Sequence, residues 1–214
     1  MNDFILGFIS GSLQTIIGHP LDTIKVLQQQ NINIYKELHI TRLYKGVTPP
    51  IIGNSVIVSS QFGLNKNIYN YTNNYFYSGF LSGGFSSFIV NPFELYKVRM
   101  QNKLKCDKVF IYKGFHSTFM RESLGNSFYF GSYFYLYENN ILPPFFAGGF
   151  AGWISWFVSY PFDVIKTRIQ TDYSKDIYSA FKIGNIWKGF MICSLRSIVV
   201  NSFGFSFYQY IKDN

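Results

Sequence analysis

The chain alternates long uncharged runs with short charged segments. Six runs contain no Asp, Glu, Lys or Arg, and they span 4–18, 46–65, 67–93, 123–137, 139–162 and 197–211. A helix needs about 20 mostly apolar residues to cross a bilayer. Several runs reach that length, and the others reach it if flanking Lys and Tyr side chains extend towards the headgroups. The pattern predicts an all-α membrane protein with six transmembrane helices. It disfavours a soluble helical array, whose helices would carry wider polar faces.

A motif of proline and charged residues repeats three times within this pattern. Each copy reads Pro-x-acid-x-x-Lys, with Gln four residues after the lysine, and the copies begin at Pro20, Pro92 and Pro161. The prolines are 72 and 69 residues apart. This even spacing predicts three tandem repeats in one structural domain, each with a helix, a basic loop and a second helix. The predicted repeats span 1–72, 73–142 and 143–214.

The motif places charges at the ends of apolar runs, where a charge is costly unless it finds a partner. Each proline removes an amide donor and bends its helix, so three charged helix ends are expected to meet beneath a central cavity. The acids are Asp22, Glu94 and Asp163; the lysines are Lys25, Lys97 and Lys166; the glutamines are Gln29, Gln101 and Gln170.

The basic residues concentrate in three short segments. The net charge is +8, and fifteen of the nineteen Lys and Arg residues lie in 25–45, 97–113 and 166–188. These segments connect predicted spans, so they are expected to share one side of the membrane and to face anionic lipid. Nucleic-acid binding, the other explanation of a basic chain, is disfavoured because the segments are short loops.

Each basic segment ends in an aromatic-Lys-Gly sequence before the second helix of its repeat. Glycine there frees backbone amides at a helix N-terminus, which suits an anionic phosphate. A simple turn at the start of a helix explains one copy equally well, whereas three copies favour lipid binding. The predicted lipid-binding residues are Lys45, Gly46, Lys113, Gly114, Lys188 and Gly189.

With these motifs, the sequence resembles the mitochondrial carrier family over nearly its whole length. That family is defined by a threefold Pro-x-[Asp/Glu]-x-x-[Lys/Arg], and all three copies are intact here. The resemblance implies a monomeric six-helix bundle with pseudo-threefold symmetry around a central substrate cavity. It also implies antiport of a substrate and a counter-substrate across the mitochondrial inner membrane, by a multi-pass protein that binds cardiolipin. Frequent Asn, Ile, Tyr, Phe and Lys indicate an AT-rich genome, which leaves open a reduced mitochondrion or the mitochondrion of a host.

The resemblance further implies which motif residues meet. In the family, the acid of each repeat pairs with the lysine of the next, and the three pairs form a gate on the matrix side. The implied pairs are Asp22 with Lys97, Glu94 with Lys166, and Asp163 with Lys25. The three motif glutamines resemble braces beneath these pairs.

The opposite mouth departs from the family pattern. Even-numbered helices of the family usually carry aromatic-acid-x-x-base there, but the acidic positions are occupied here by Gly63, Phe134 and Gln209. We therefore expect an outer mouth that is weakly closed, by hydrogen bonds and aromatic packing, with Lys66 and Lys212 unpaired.

Candidate substrate contacts lie on the predicted even-numbered helices. Arg121, Glu122 and Arg196 stand at membrane depth, where charged side chains usually mark a functional site. Arginine can bind a carboxylate and glutamate an ammonium group, and Arg121-Glu122 resembles the pair of carriers for amino acids, acylcarnitines and keto acids. The sequence around the motifs is most similar to carnitine/acylcarnitine and ornithine carriers. The expected substrate is a zwitterion such as carnitine, an acylcarnitine or a basic amino acid.

Two alternatives remain. Arg121 and Arg196 also suit the phosphates of a nucleotide such as ATP or dATP, although Glu122 would repel a polyanion. A degenerate relative that acts as a leak channel or a non-transporting membrane factor is the second alternative. An enzyme is not expected, because no catalytic His, Cys or paired carboxylates cluster outside the gate. No cofactor or metal site is predicted, and Cys106 and Cys193 lack metal-ligand spacing.

Overall fold

The computed structural model describes residues 3–29, 43–44, 47–101, 104, 111–187 and 189–213. The secondary structure of these ranges consists of six long helices and one short helix. They are α1 (Asp3–Gln29), α2 (Thr48–Thr72), α3 (Tyr75–Gln101), α4 (Phe115–Glu138), α5 (Pro144–Gln170), α6 (Ile177–Lys182) and α7 (Phe190–Asp213). The predicted all-α class is confirmed for this part of the chain.

Three of the long helices match one another in length and in the position of their proline. The helices α1, α3 and α5 each contain 27 residues, with Pro20, Pro92 and Pro161 inside them. Each helix continues for nine residues beyond its proline. The charged residues of the motif therefore occupy equivalent turns near the ends of these three helices.

The six long helices form a closed ring. Each long helix packs against the next one along the chain, and α7 packs against α1. The short α6 packs against α5, beside the ring. Within this ring, α4 lies between α3 and α5, which gives its side chains access to both neighbours.

A group of buried, mostly aromatic side chains fills one end of the ring, and we call it the aromatic cluster. Its members are Leu6, Phe62, Phe130, Tyr133, Phe134, Ala147, Ala151, Phe205 and Tyr208. They come from the first halves of α1 and α5 and from the second halves of α2, α4 and α7. The cluster therefore lies at the opposite end of the ring from the proline motifs.

Glycines set the distance between α3 and α4. A β-carbon at Gly83 would overlap the backbone carbonyl of Glu122 and would lie 2.9 Å from the Cα of Ser123. A β-carbon at Gly79 would lie 2.8 Å from the Cα of Ser127. Small residues four apart permit this close approach of two helices, and it brings α3 directly behind Glu122.

Gly83→Ala is expected to destabilise the protein. Alanine improves helix propensity by about 1 kcal/mol, but its methyl group would push α3 away from α4, and such overpacking costs about 1–3 kcal/mol. Gly53→Ala is the matched control, since a β-carbon there meets no atom within 4 Å. Thermal unfolding in detergent should occur at a lower temperature for Gly83→Ala and at an unchanged or higher temperature for Gly53→Ala. Equal shifts would contradict the close contact.

The outer surface of the ring carries many large apolar side chains. On α3, Phe85, Phe88 and Phe93 are each more than half exposed. Phe146 on α5 and Leu195 on α7 are similarly exposed. Within the described ranges, no helix combines the length and the apolar character that crossing a membrane requires.

Candidate functional site

A cavity of about 210 Å³ lies inside the ring, beside the aromatic cluster. Side chains of α1, α2, α4, α5 and α7 contribute to its wall. The lining residues are Gln14, Val58, Gln61, Phe62, Arg121, Glu122, Gly125, Asn126, Tyr129, Gly152, Ser155, Trp156, Ser159 and Asn201. Four amide side chains and a charged pair make this wall polar, and convergent polar groups of this kind orient a hydrophilic ligand.

Arg121 and Glu122 supply the charges of the cavity wall. Their guanidinium and carboxylate are in direct contact, and the two side chains are only 13% and 10% exposed. The Oε2 atom of Glu122 also accepts hydrogen bonds from Gln61 Nε2 at 3.0 Å and from Asn126 Nδ2 at 3.3 Å. Buried charges persist when they are paired and hydrogen-bonded, and Glu122 meets both conditions.

Four charged residues lie together on the side of the cavity away from the aromatic cluster, and we call them the ion quartet. Arg121 Nη2 lies 3.0 and 2.9 Å from the two carboxylate oxygens of Glu94, and Nη1 lies 3.3 Å from Asp163 Oδ1. Lys166 Nζ contacts Glu94 Oε2 and lies 3.8 Å from Asp163 Oδ1. Each cation of the quartet is thus within ion-pair distance of both carboxylates.

The aromatic cluster, the cavity and the ion quartet form three successive layers along single helices. In α5, Ala151 belongs to the aromatic cluster, four residues between Gly152 and Ser159 line the cavity, and Asp163 and Lys166 belong to the quartet. In α4 the order is reversed, from Arg121 to the cluster residues Phe130, Tyr133 and Phe134. The cavity is therefore bounded by an ionic layer on one side and by an aromatic layer on the other.

The structure describes one of the three pairs that the resemblance implies, Glu94 with Lys166. It also places Arg121, a predicted substrate contact, beside the gate acids Glu94 and Asp163. Lys97 is exposed. The predicted gate and brace side chains outside the described part of the chain are those of Asp22, Lys25, Gln29 and Gln101.

The predicted brace Gln170 is fully buried, four residues beyond Lys166. Its Nε2 atom donates to Asn91 Oδ1 at 3.3 Å and to the Lys113 carbonyl at 3.5 Å. The main-chain carbonyl oxygen of Gln170 accepts a hydrogen bond from Arg99 Nη1 at 3.1 Å. Gln170 therefore joins the ends of α3 and α5 to the turn that precedes α4, directly behind the ion quartet.

The predicted lipid-binding glycines that the structure describes, Gly114 and Gly189, precede α4 and α7. Their φ values are 76° and 87°, a backbone conformation that glycine adopts without strain. The start of each helix thus accounts for the glycine.

The predicted lipid-binding residue Lys113 contacts the carboxylate of Asp172, which also accepts a hydrogen bond from Arg99 Nη1 at 2.7 Å. Of the other predicted lipid contacts, Lys45, Gly46 and Lys188 lie outside the described residues.

Asp172 should make the stability of this region depend on pH. Hydrogen bonds from Lys113 and then Arg99 lower the pKa of Asp172. The folded-state pKa thus lies below the unfolded value of about 3.9, so the stabilisation is full above about pH 4 and is lost as the pH falls through the folded-state pKa. Asp172→Asn is expected to cost about 1 kcal/mol at pH 7 and to reduce the acid dependence of the unfolding temperature. Asp176→Asn is the control for the loss of stability at pH 7, because asparagine also caps a helix; equal losses at pH 7 would contradict this role of Asp172.

Aromatic packing closes the mouth opposite the ion quartet. The ring centroid of Phe62 lies 5.0 Å from that of Phe130 and 4.7 Å from that of Tyr208. Those of Tyr133 and Phe205 are 3.5 Å apart. The sequence led us to expect a weakly closed mouth held by hydrogen bonds and aromatic packing. The structure places aromatic packing at this end of the ring, where the cluster residues are at most 8% exposed and their π-systems are in contact.

Two basic residues have surroundings that the sequence did not predict. Lys66 was expected to lack an acidic partner. Its Nζ lies 5.5 Å from the ring centroid of Tyr69, within range of a cation–π interaction. The side chain of Lys212 lies outside the described part of the chain. Arg196 is absent from the described residues of the cavity wall. Its guanidinium lies against Gly18 of α1, where a β-carbon would be 3.3 Å from Nη2.

Several residues of the cavity wall were not predicted as ligand contacts. They are Gln14, Gln61, Asn126, Tyr129, Trp156 and Asn201. Asn126 and Asn201 belong to an Asn-Ser pair that recurs at 54–55, 126–127 and 201–202, so this repetition was an available signal. The copy at 54–55 does not contribute to the cavity wall. The side chain of Asn54 is exposed and donates a hydrogen bond to Thr15 Oγ1 at 3.2 Å. No comparable pattern marks Gln14 or Gln61.

The known proteins that this chain resembles include several mitochondrial carriers. A family model described as mitochondrial carrier protein matches residues 137–214. The mitochondrial substrate carrier family protein L of Dictyostelium discoideum is 31% identical over 98% of this chain and 94% of its own length. The mitochondrial basic amino acids transporter of Rattus norvegicus is 32% identical over 79% of this chain and 71% of its own length. Solute carrier family 25 member 45 of Mus musculus is 28% identical over 99% of this chain and 98% of its own length. The chain belongs to the mitochondrial carrier family.

Proposed function

We propose that the protein transports a zwitterionic metabolite, such as a basic amino acid or a carnitine-type compound, across the mitochondrial inner membrane by alternating access. The observation that carries this proposal is the buried pair of Arg121 and Glu122 in the cavity wall. A ligand that is only an anion would draw Arg121 away from Glu122 and leave that carboxylate buried without its ion partner, which costs about 3–5 kcal/mol. A zwitterion offers a carboxylate to Arg121 and an ammonium group to Glu122, so both charges keep a partner.

The guanidinium of Arg121 has capacity for such a ligand. Arginine presents five N–H donors, and Nη1 and Nη2 are used by Glu94, Asp163 and Glu122. The buried Nε–H has no hydrogen-bond partner among the described residues. An unsatisfied buried donor favours an additional acceptor, and a ligand carboxylate would supply one.

The size of the cavity favours a small metabolite over a nucleotide. Its volume is about 210 Å³, below the roughly 300–1,000 Å³ of pockets that hold drug-sized ligands. Glu122, held in the wall by Gln61 and Asn126, would also repel a triphosphate. The nucleotide alternative therefore has less support than a zwitterion of amino-acid size.

The names of the relatives point to the same class of substrate. One relative is named as a transporter of basic amino acids, and another, from Saccharomyces cerevisiae, as a glycine transporter. We extend this class to the present chain because its cavity carries one basic and one acidic side chain in contact. The exposed phenylalanines of α3 and α5 support a lipid-facing outer surface, since patches of this kind are uncommon on soluble monomers.

In this mechanism the motif residues form the matrix gate. Glu94, Asp163 and Lys166 would act with Lys97, Asp22 and Lys25, and the motif glutamines would brace the closed state. The prolines would let the helix ends swing outward when the gate opens. We assign Arg196 no substrate contact in the conformation described. Binding of cardiolipin at the helix-start glycines, and a monomeric state, complete the proposal.

Exchange in liposomes tests the function. The purified chain would be reconstituted with internal substrate, and uptake of labelled carnitine, of labelled arginine and ornithine, and of labelled ATP and dATP would be measured, each against matched internal substrate. We expect saturable exchange of at least one zwitterion and none of the nucleotides. Nucleotide exchange would contradict the zwitterion site. Absence of saturable exchange of all these compounds would favour a non-transporting relative.

A further inference from the structure

The ion quartet has a member that does not belong to the proline motifs. Glu94 is in α3 and both Asp163 and Lys166 are in α5, whereas Arg121 is in α4, which lies between those helices in the ring. Arg121 is also the residue of the quartet that reaches the cavity wall. One guanidinium therefore contacts the cavity on one side and two predicted gate acids on the other.

We propose that Arg121 is a member of the gate, linking α3 to α5 through its contacts with Glu94 and Asp163. A carboxylate that binds Arg121 competes with these two gate acids for the same guanidinium, so ligand binding directly removes connections that hold the gate closed. The identity of the competing group rests on the proposed function. The place of Arg121 in the gate rests on the contacts alone.

The geometry of the contacts explains why arginine suits this place. Its planar guanidinium donates from Nη2 to both oxygens of Glu94 while Nη1 faces Asp163. A lysine ammonium is a compact charge that cannot present donors in such a fork. The acids also retain Lys166, whose side chain is 3% exposed, so loss of Arg121 contacts weakens the gate without leaving Glu94 unpaired. A gate of this kind can be shifted by the differential binding of a ligand.

The test measures access to the cavity from the side of the quartet, without any substrate. Ser159→Cys in the cavity wall serves as the reporter, with Cys106→Ser and Cys193→Ser to remove the native thiols. A membrane-impermeant thiol reagent is supplied outside the liposomes or trapped inside, which distinguishes the two mouths. The variants Arg121→Ala, Glu94→Gln and their combination form a double-mutant cycle.

With reagent supplied on the quartet side, we expect each single variant to raise the reporter's reaction rate about tenfold, which is equivalent to about 1.4 kcal/mol. With reagent supplied on the side of the aromatic cluster, the rate should not change. The double variant should react far more slowly than the product of the two single effects predicts, because both remove the same connection. Arg121→Lys keeps the charge but loses the fork, so it should also raise the rate; this milder variant preserves the test if Arg121→Ala does not fold.

Two results would overturn the proposal. The first is an unchanged reaction rate in Arg121→Ala and Arg121→Lys. The second is a double variant whose effect equals the product of the single effects, which would show that Arg121 and Glu94 act independently. The proposed function fails separately. If the reporter responds as expected but the unaltered chain exchanges no zwitterion, Arg121 remains a gate residue and the zwitterion assignment is wrong.

Discussion

Arg121→Ala is expected to abolish specific uptake. The change removes the carboxylate-binding group from the cavity wall and leaves Glu122 buried without its ion partner. Breaking a buried pair in this way costs about 3–5 kcal/mol, which corresponds to a loss of roughly two to four powers of ten in transport efficiency. The measurement is the initial rate of labelled exchange in liposomes, over a range of substrate concentrations.

The control for this variant is Lys182→Ala, which removes an exposed cation from α6, away from the cavity wall. It should leave uptake unchanged. Glu122→Gln completes the comparison, since it keeps the size of the side chain but cannot pair with an ammonium group. We expect it to weaken zwitterion uptake as well. If Arg121→Ala left uptake and its inhibition profile unchanged, the proposed site would be wrong.

Phe62→Ala is expected to open the mouth at the aromatic cluster. Phe62 is 4% exposed, contacts the rings of Phe130, Phe205 and Tyr208, and lines the cavity. Removal of a buried phenylalanine ring costs about 3–5 kcal/mol. A conformation in which this mouth is already open does not bury the ring to the same extent, so the equilibrium should shift towards it by roughly a hundredfold.

The Ser159→Cys reporter measures this shift from the opposite side. In Phe62→Ala, the thiol should react much faster with reagent on the side of the aromatic cluster, and exchange should slow because the closed state is rarely reached. Phe85→Ala removes the same ring from a position that is 59% exposed on α3, and it should change neither rate. Equal reactivity in both phenylalanine variants would show that the cluster does not control access.

The sequence predicted the repeated features of the fold because they depend on local chemistry. A proline at the same position relative to its charges marks an equivalent turn in α1, α3 and α5. The close approach of α3 to α4 at Gly79 and Gly83 also has a local cause, since it requires only the absence of a side chain. Arg121 and Glu122, adjacent in sequence, both reach the cavity wall.

The choice of partners between helices could not be predicted in the same way. Arg196 is seven residues after Gly189, as Arg121 is seven after Gly114, yet only Arg121 lines the described cavity. Gly18 offers space for the Arg196 guanidinium beside α1, and that space depends on how two distant helices pack. The reach of Arg121 to Glu94 and Asp163, and the contact of Gln61 with Glu122, depend likewise on helix placement rather than on sequence spacing.

The most direct test of the central claim is inhibition of labelled zwitterion exchange by ligands that carry both charges or one alone. Unlabelled lysine and carnitine would be compared with their methyl esters, which keep the cation but lack the carboxylate, with hexanoate, which has only the carboxylate, and with ATP. We expect a compound with both charges to inhibit strongly and its ester, hexanoate and ATP to inhibit weakly. Inhibition by hexanoate or ATP as strong as that by the zwitterion would contradict paired recognition by Arg121 and Glu122.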